Sequence, residues 1–292
     1  DYDVVIPGDK SITHRAIILA SMCDGEVTIF NPLLSDDCLS TISVMRELGT
    51  EIKIVDKSLI ITGRGIKNFL KPGRELNAGN SGTLIRLISG ILAMQDFKSE
   101  ISGDSSLLQR PMDRICDPLN MLGCRVTAND GKPPIRFEVA DNVKAFSYQS
   151  KIASSQVKSC MIFAAMHLDG DSKITEITPT RDHTERLLMY LGYPIQLSEK
   201  TLIITGNGEL RSKNITIPAD ISSAAFFIVA SILKKNSKLH ITNVNFNNHR
   251  TGLIKILKDM GAKIVIENKR DKCNESIVDI TSYSSKLRPI KV

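Results

Sequence analysis

Four times along the 292 residues, a helix-like segment ends in a large apolar residue followed by glycine, at Gly49, Gly123, Gly192 and Gly261. Glycine just past the last helical turn is the residue that most readily caps a helix C-terminus. The spacing is about 70 residues, the size of one supersecondary unit, and each glycine is followed by two short strand-like stretches. One Leu-Gly pair would mean nothing. Four in phase restrict the chain to a repeat architecture that mixes helices and strands.

Each unit reads as helix, strand, helix, strand, strand. In the first, a helical pattern over residues 11–23 leads through Gly25 to an alternating strand at Glu26–Phe30, and Asp36 opens a second helix closing at Gly49. Strands at Glu51–Val55 and Ser58–Thr62 complete it. The second unit has helices at 81–94 and 111–122 with strands at Ser99–Ser102, 124–127 and 135–139. The third has helices at 154–167 and 182–191 and strands at 172–177, 194–197 and Thr201–Thr205. The fourth has helices at 220–233 and 251–260, with strands at 237–242, 263–267 and 276–280.

The first helix of every unit is apolar almost all round, as in Ile-Ile-Leu at 17–19 and Ile-Phe-Ala-Ala at 162–165, which marks a helix buried on most faces. Each opens on small polar residues: Lys10-Ser11, Asn80-Ser81-Gly82-Thr83, Ser154-Ser155-Gln156, and Asp220 before Ser222-Ser223. Quasi-symmetric packing of the units would gather these helix starts at one end of the protein. Ordinary capping explains Ser and Asn at such positions, and Ser11 is the expected cap of the first helix. Capping does not explain Lys10, Arg15, Arg86 and Arg110 near the same end. Unpaired amides at helix starts, together with Lys and Arg, make an anion site.

Composition excludes several alternatives. Six scattered cysteines with no C-x-x-C pair read as reduced thiols of a cytoplasmic protein, and no His/Cys grouping has zinc spacing. The net charge is +6, but the basic residues are dispersed among nine Phe, five Tyr and no Trp. That is no platform for nucleic acid, whereas small anionic substrates suit a mild positive balance. No apolar run reaches membrane-spanning length, and no signal-peptide order precedes the first motif.

That first motif, Pro7-Gly8-Asp9-Lys10-Ser11-Ile12-Thr13-His14-Arg15, resembles the P-G-[SD]-K-S-x-[ST]-x-R signature of the 5-enolpyruvylshikimate-3-phosphate synthase family, the 3-phosphoshikimate 1-carboxyvinyltransferases. Asn77-Ala78-Gly79-Asn80-Ser81-Gly82-Thr83 with Arg86 is similar to a second signature, and Leu108-Gln109-Arg110-Pro111-Met112 to a third. Ser154-Ser155-Gln156-Val157-Lys158-Ser159 and Thr180-Arg181-Asp182-His183-Thr184-Glu185-Arg186 are similar to two more, in forms that resemble the class II bacterial branch known for glyphosate tolerance. The resemblance spans essentially the whole chain.

It implies an α/β (α+β) enolpyruvyl transferase fold of repeated βαβαββ units, an inverted α/β barrel-like arrangement in two domains with substrates in the cleft between them. Residues 9–218 would be a complete three-unit domain; residues 1–8 and 219–292 would be part of the second. The family has six units and this chain shows four, so the sequence is expected to be a piece that is inactive alone. The family's general acid and base are expected beyond Val292.

The implied reaction transfers the enolpyruvyl group of phosphoenolpyruvate to the 5-hydroxyl of shikimate 3-phosphate and needs no metal or organic cofactor. By the same resemblance, shikimate 3-phosphate would bind Lys10, Ser11, Arg15, Ser154, Ser155, Gln156 and Arg181. Phosphoenolpyruvate would bind Lys10, Gly82, Arg110, Asn80 and Thr83, with Lys10 assisting catalysis. These small molecules would be the partners of a chain that is monomeric at full length, without nucleic acid or membrane.

Other residues read as structural. His14 and His183 suit packing or surface positions. Asp36 and Asp37 sit where a helix cap is expected, and Asp220 caps its helix near a crossover. Arg86 divides between an ion pair and the second substrate. Two further readings stay open. The enolpyruvyl transferase that uses UDP-N-acetylglucosamine has Lys-Asn where this chain has Lys10-Ser11, and a Cys in the loop where residues 104–112 have none. The other is a non-catalytic, anion-binding piece.

Overall fold

The computed structural model describes residues 2–291, with side chains from residue 4 onward. Strand β1 (Tyr2–Asp3) comes first, followed by α1 (Lys10–Met22), β2 (Glu26–Phe30), α2 (Asp36–Glu47), β3 (Glu51–Val55) and β4 (Ser58–Thr62). The second repeat holds β5 (Leu76–Asn77), α3 (Gly82–Leu92), β6 (Ser99–Ser102), α4 (Asp113–Met121), β7 (Arg125–Asn129) and β8 (Lys132–Glu138). The third holds β9 (Ser147–Gln149), α5 (Ser155–Ala165), β10 (Asp171–Thr175), α6 (His183–Tyr190), β11 (Ile195–Leu197) and β12 (Thr201–Thr205). After β13 (Ile215–Thr216) come α7 (Ile221–Leu233), β14 (Lys238–Asn245), α8 (Gly252–Asp259), β15 (Ile264–Lys272) and β16 (Glu275–Tyr283).

Each repeat forms one four-stranded sheet, in the orders β13-β2-β4-β3, β5-β6-β8-β7, β9-β10-β12-β11 and β1-β14-β16-β15. The leading strand of each is parallel to its neighbour and the other pairs are antiparallel. Sequence periodicity misses these leading strands because two or three residues carry no period. Two of them come from distant chain. Strand β13 pairs with β2, Ile215 opposite Ile29, and β1 pairs with β14, Tyr2 opposite Leu239.

The chain therefore crosses between sheets twice, at residues 7–9 and 218–220. The two crossovers run side by side: the Asp9 amide donates to the Pro218 carbonyl at 2.8 Å and the Asp220 amide to the Pro7 carbonyl at 3.0 Å. Gly8 is needed at this point, since a Cβ there would lie 2.1 Å from the Asn31 carbonyl oxygen.

Among the described residues, buried apolar side chains form two clusters. One runs from Ile12 to Ile217 and surrounds α1, α3 and α5. The other gathers Ile6 with residues between Ala219 and Ile280. Helix α1 is buried at every position from Ile12 to Met22. Helix α7 has the same apolar composition but leaves Phe226 at 80% and Leu233 at 65% exposure.

The repeat glycines cap their helices as expected, in the left-handed region at φ +90° (Gly49), +95° (Gly123), +76° (Gly192) and +95° (Gly261). Three expectations are corrected. The cap of α1 is Asp9, whose carboxylate accepts from the Ile12 amide at 2.9 Å; Ser11 lies inside the helix. The N-cap position of α2 is Ser35, so Asp36 and Asp37 belong to its first turn. Helix α4 starts at Asp113 rather than Pro111, because the Met112 amide is drawn to the Gly131 carbonyl at 2.7 Å.

Candidate active site at the helix starts

The starts of α1, α3 and α5 are joined by their own side chains. Ser81 caps α3 by accepting from the Leu84 amide at 3.1 Å, and Ser154 caps α5 by accepting from Val157 at 3.4 Å. Gln156 at the head of α5 donates to Thr83 Oγ1 of α3 at 3.1 Å and accepts from Arg86 at 3.1 Å. Lys10 at the head of α1 is half exposed and ion-paired with Asp37 in the first turn of α2. Gly79, just before α3, abuts Ser40 of α2. The gathering inferred from the repeats is thus a direct contact between the heads of α3 and α5, and reaches the head of α1 through α2.

Gly82 sits between two guanidinium groups. A Cβ there would lie 2.8 Å from an Arg110 nitrogen and 3.1 Å from one of Arg86, so glycine lets both cations and any anion approach the helix end. Arg110 bonds the Asn80 side-chain oxygen, and Asn80 in turn donates to Asp104 at 2.7 Å. That bond, with the Leu107 amide, holds the Asp104 carboxyl below its usual range.

Arg86 donates to the carbonyls of Gly82 and Pro111 and to Gln156. Among the described residues it has no carboxylate partner, so the ion-pair reading of Arg86 does not hold. Burial, and then the charges of Arg114 and Arg110, lower its pKa to about 10, so it stays cationic at neutral pH. Neither Arg86 nor Arg110 forms a salt bridge among the described residues, and Asp104 meets Arg110 only through Asn80 and through its charge, so the two cations remain able to take an anion.

Beside α1 and α5 lies a second basic group. Arg181, just before α6, is half-buried, with one nitrogen 3.5 Å from Ser11 Oγ. Burial and the nearby Arg250 charge lower its pKa. Arg15 lies beneath at 2% exposure. It donates to Thr184 Oγ1 at 2.7 Å, the Ser11 carbonyl at 2.9 Å and Ser159 Oγ at 3.0 Å. Burial lowers its pKa to about 10, with the Glu185 charge opposing. Arg15 therefore ties α1 to α5 and α6, with Ser11 and the Arg181 charge beside it, and its α5 partner Ser159 donates to the Ser155 carbonyl at 2.7 Å.

The histidines take packing positions. His14 bonds Thr41 Oγ1 at 2.6 Å and is buried. His183 bonds Glu275 Oε1 at 2.7 Å, where the β15–β16 hairpin reaches across to α6.

Sequence reasoning missed Asp37 as the partner of Lys10, and missed Arg250, which grips the carboxylates of both Asp9 and Asp220. Asp9 was visible as the residue three before the Ile12 amide, a capping distance. For Arg250, more than two hundred residues from Asp9, no local signal exists.

The arrangement offers two adjoining places for small anions, one at Lys10, Ser11, Arg181 and the head of α5, the other at Gly82, Arg86 and Arg110. The chain also has strong matches among known proteins. The chain is 44% identical over 295 residues to a 3-phosphoshikimate 1-carboxyvinyltransferase of Hydrogenovibrio crunogenus, covering 98% of this chain and 66% of that protein. It is 43% identical over 291 residues to one from Legionella pneumophila strain Lens, covering 99% and 67%. An EPSP synthase structure from Acinetobacter baumannii superposes with a TM-score of 0.91 at 38% identity, covering 99% of this chain and 66% of that one. The chain thus spans about two thirds of the length of these relatives. Residues 2–292 match the family described as EPSP synthase (3-phosphoshikimate 1-carboxyvinyltransferase), and with that agreement in sequence and in the α/β enolpyruvyl transferase fold, the chain belongs to this family.

Proposed function

We propose that the helix-start site serves transfer of the enolpyruvyl group of phosphoenolpyruvate to the 5-hydroxyl of shikimate 3-phosphate, with release of phosphate. C3 of phosphoenolpyruvate gains a proton, the hydroxyl oxygen gives up its own proton and bonds to C2, and the C2–O bond to phosphate then breaks as C3 loses a proton, so that the C=C bond re-forms and phosphate leaves. Lys10, Ser11, Ser154, Ser155, Gln156 and Arg181 hold shikimate 3-phosphate above Arg15. Gly82, Arg110, Asn80 and Thr83 hold phosphoenolpyruvate, with Arg86 behind them. Lys10 lies between the two, and its flexible ammonium suits bridging two anions.

The observation that carries the reading is the pair of guanidiniums flanking a glycine at the head of α3, since a planar fork matches carboxylate or phosphate in two parallel bonds. Residues 9–218 form the domain that supplies this wall of the cleft, and residues 1–8 and 219–292 belong to a second domain. Six free cysteines suit a reducing, cytoplasmic setting. At full length the enzyme is a monomer, and the Arg181 form of its motif resembles that of the glyphosate-tolerant branch.

Calorimetric titration with shikimate 3-phosphate tests the site, and phosphate release with both substrates tests the reaction. Binding that Lys10→Ala weakens about tenfold or more without unfolding the protein supports the site. Absence of binding to the unaltered chain rejects it. Phosphate release with UDP-N-acetylglucosamine as the acceptor favours the rival transferase. Binding without turnover leaves the 292 residues as an anion-binding piece.

A further inference from the structure

Arg181 is carried by a segment with little regular structure. After β10 the chain runs through residues 176–182 to α6, and Ile177, Thr178 and Pro179 are exposed. Its shape is set from inside. Glu176 Oε1 accepts from the Thr180 amide at 3.2 Å and from its hydroxyl at 2.5 Å, which closes a five-residue loop next to Arg181. The other Glu176 oxygen is held by Lys158 Nζ at 2.8 Å. Lys158 is itself buried, at 2% side-chain exposure, and also binds Glu185 Oε1 of α6 at 2.6 Å.

Lys158 stands one helical turn into α5, and its amide bonds the Ser154 carbonyl at 3.0 Å. A single buried ammonium thus ties three things together: the head of α5, the loop that carries Arg181, and the first turns of α6. A water-exposed lysine could not do this, because solvent would compete for each carboxylate; buried, the three groups must stay paired. Arg181 forms no salt bridge among the described residues; beyond a long contact to Ser11 Oγ at 3.5 Å and the charges of Asp9 and Asp220, its place depends on the backbone that Thr180 holds.

We infer that Lys158 and Glu176 are positioning residues for the anion site, acting through Thr180 to hold Arg181 over the heads of α1 and α5. This rests on the reading of Arg181 as a phosphate contact of shikimate 3-phosphate. The ligand touches neither Lys158 nor Glu176; they fix the place where the guanidinium waits.

A double-mutant cycle read by calorimetric titration of shikimate 3-phosphate tests it. Glu176→Ala is expected to weaken binding about tenfold or more, the loss that follows a charge-assisted contact. Thr180→Val, which removes only the hydroxyl bond, is expected to weaken it about threefold to tenfold. Each effect should largely vanish when Arg181 is already alanine, whereas the Thr180→Val and Lys10→Ala effects should multiply. A purely structural role for Lys158 and Glu176 would give no such selective dependence on Arg181.

If Arg181→Ala leaves binding unchanged, or the unaltered chain takes up no shikimate 3-phosphate, the reading of the site fails and the inference with it. If Arg181→Ala weakens binding but Glu176→Ala and Thr180→Val do not, or their effects multiply with it, the inference alone is overturned. Should Glu176→Ala fail to fold, the Thr180→Val cycle decides.

Discussion

At the scale of single residues, the fold depends on backbone contacts that admit no side chain. In α3, Gly90 faces α5 so closely that a Cβ would lie 2.0 Å from the Cys160 carbonyl oxygen. The obstacle is backbone and cannot rotate away. Gly90→Ala is expected to destabilise the protein by about 1–3 kcal/mol, the range for overpacking a tight core. A urea midpoint lowered at unchanged m-value would show it; an unshifted midpoint would mean that α3 and α5 can part freely. The four C-capping glycines and the basic residues at the helix starts were legible in the sequence, because capping and motif spacing are local. Gly90 was not, since its neighbour is seventy positions away. Nor were Lys158 and Glu176, whose charges make sense only once burial has brought them together.

At the scale of elements, the helices were legible from their polar starts, their length and the glycines that close the second helix of each unit. The leading strands were not, since pairing rather than pattern creates them. The helices also carry buried histidines whose cost depends on pH. His14 in α1 and His167 just past α5 are held neutral, with pKa values lowered to about 3 and about 4, foremost by burial. In the unfolded chain each takes up a proton near pH 6.5. Between that pH and about 4 the unfolded state binds more protons, so stability is complete above about pH 7 and falls as the pH drops. The slope approaches about 1.4 kcal/mol per pH unit for each histidine. Denaturation midpoints at pH 7.5, 6 and 5 should decline accordingly, and His14→Asn with His167→Gln should flatten the decline. A wild-type midpoint that holds steady down to pH 5 would contradict the buried, neutral state of these rings.

At the scale of the whole molecule, the two clusters of buried side chains meet where the chain crosses twice, and one side chain spans that junction. Arg250, at the turn before α8, bonds Asp9 through one guanidinium nitrogen and Asp220 through the other, the latter at 2.9 Å. It also donates to Ser222 at 2.7 Å. Asp9 caps α1 and Asp220 caps α7, so the two buried carboxylates hold the first helices on either side of the junction. Burial raises the Asp9 pKa, and the Arg250 charge works against that rise. Removing the arginine leaves two acids facing each other without their counter-charge. Arg250→Ala is therefore expected to cost about 3–5 kcal/mol, the penalty of breaking a buried pair from one side. Adding Asp9→Asn and Asp220→Asn should restore a substantial part, since no buried charge is then stranded. Equilibrium unfolding of the three proteins distinguishes this from simple loss of packing: if the triple variant is no more stable than Arg250→Ala, the arginine acts through its bulk, and the crossovers are joined by their backbone bonds alone.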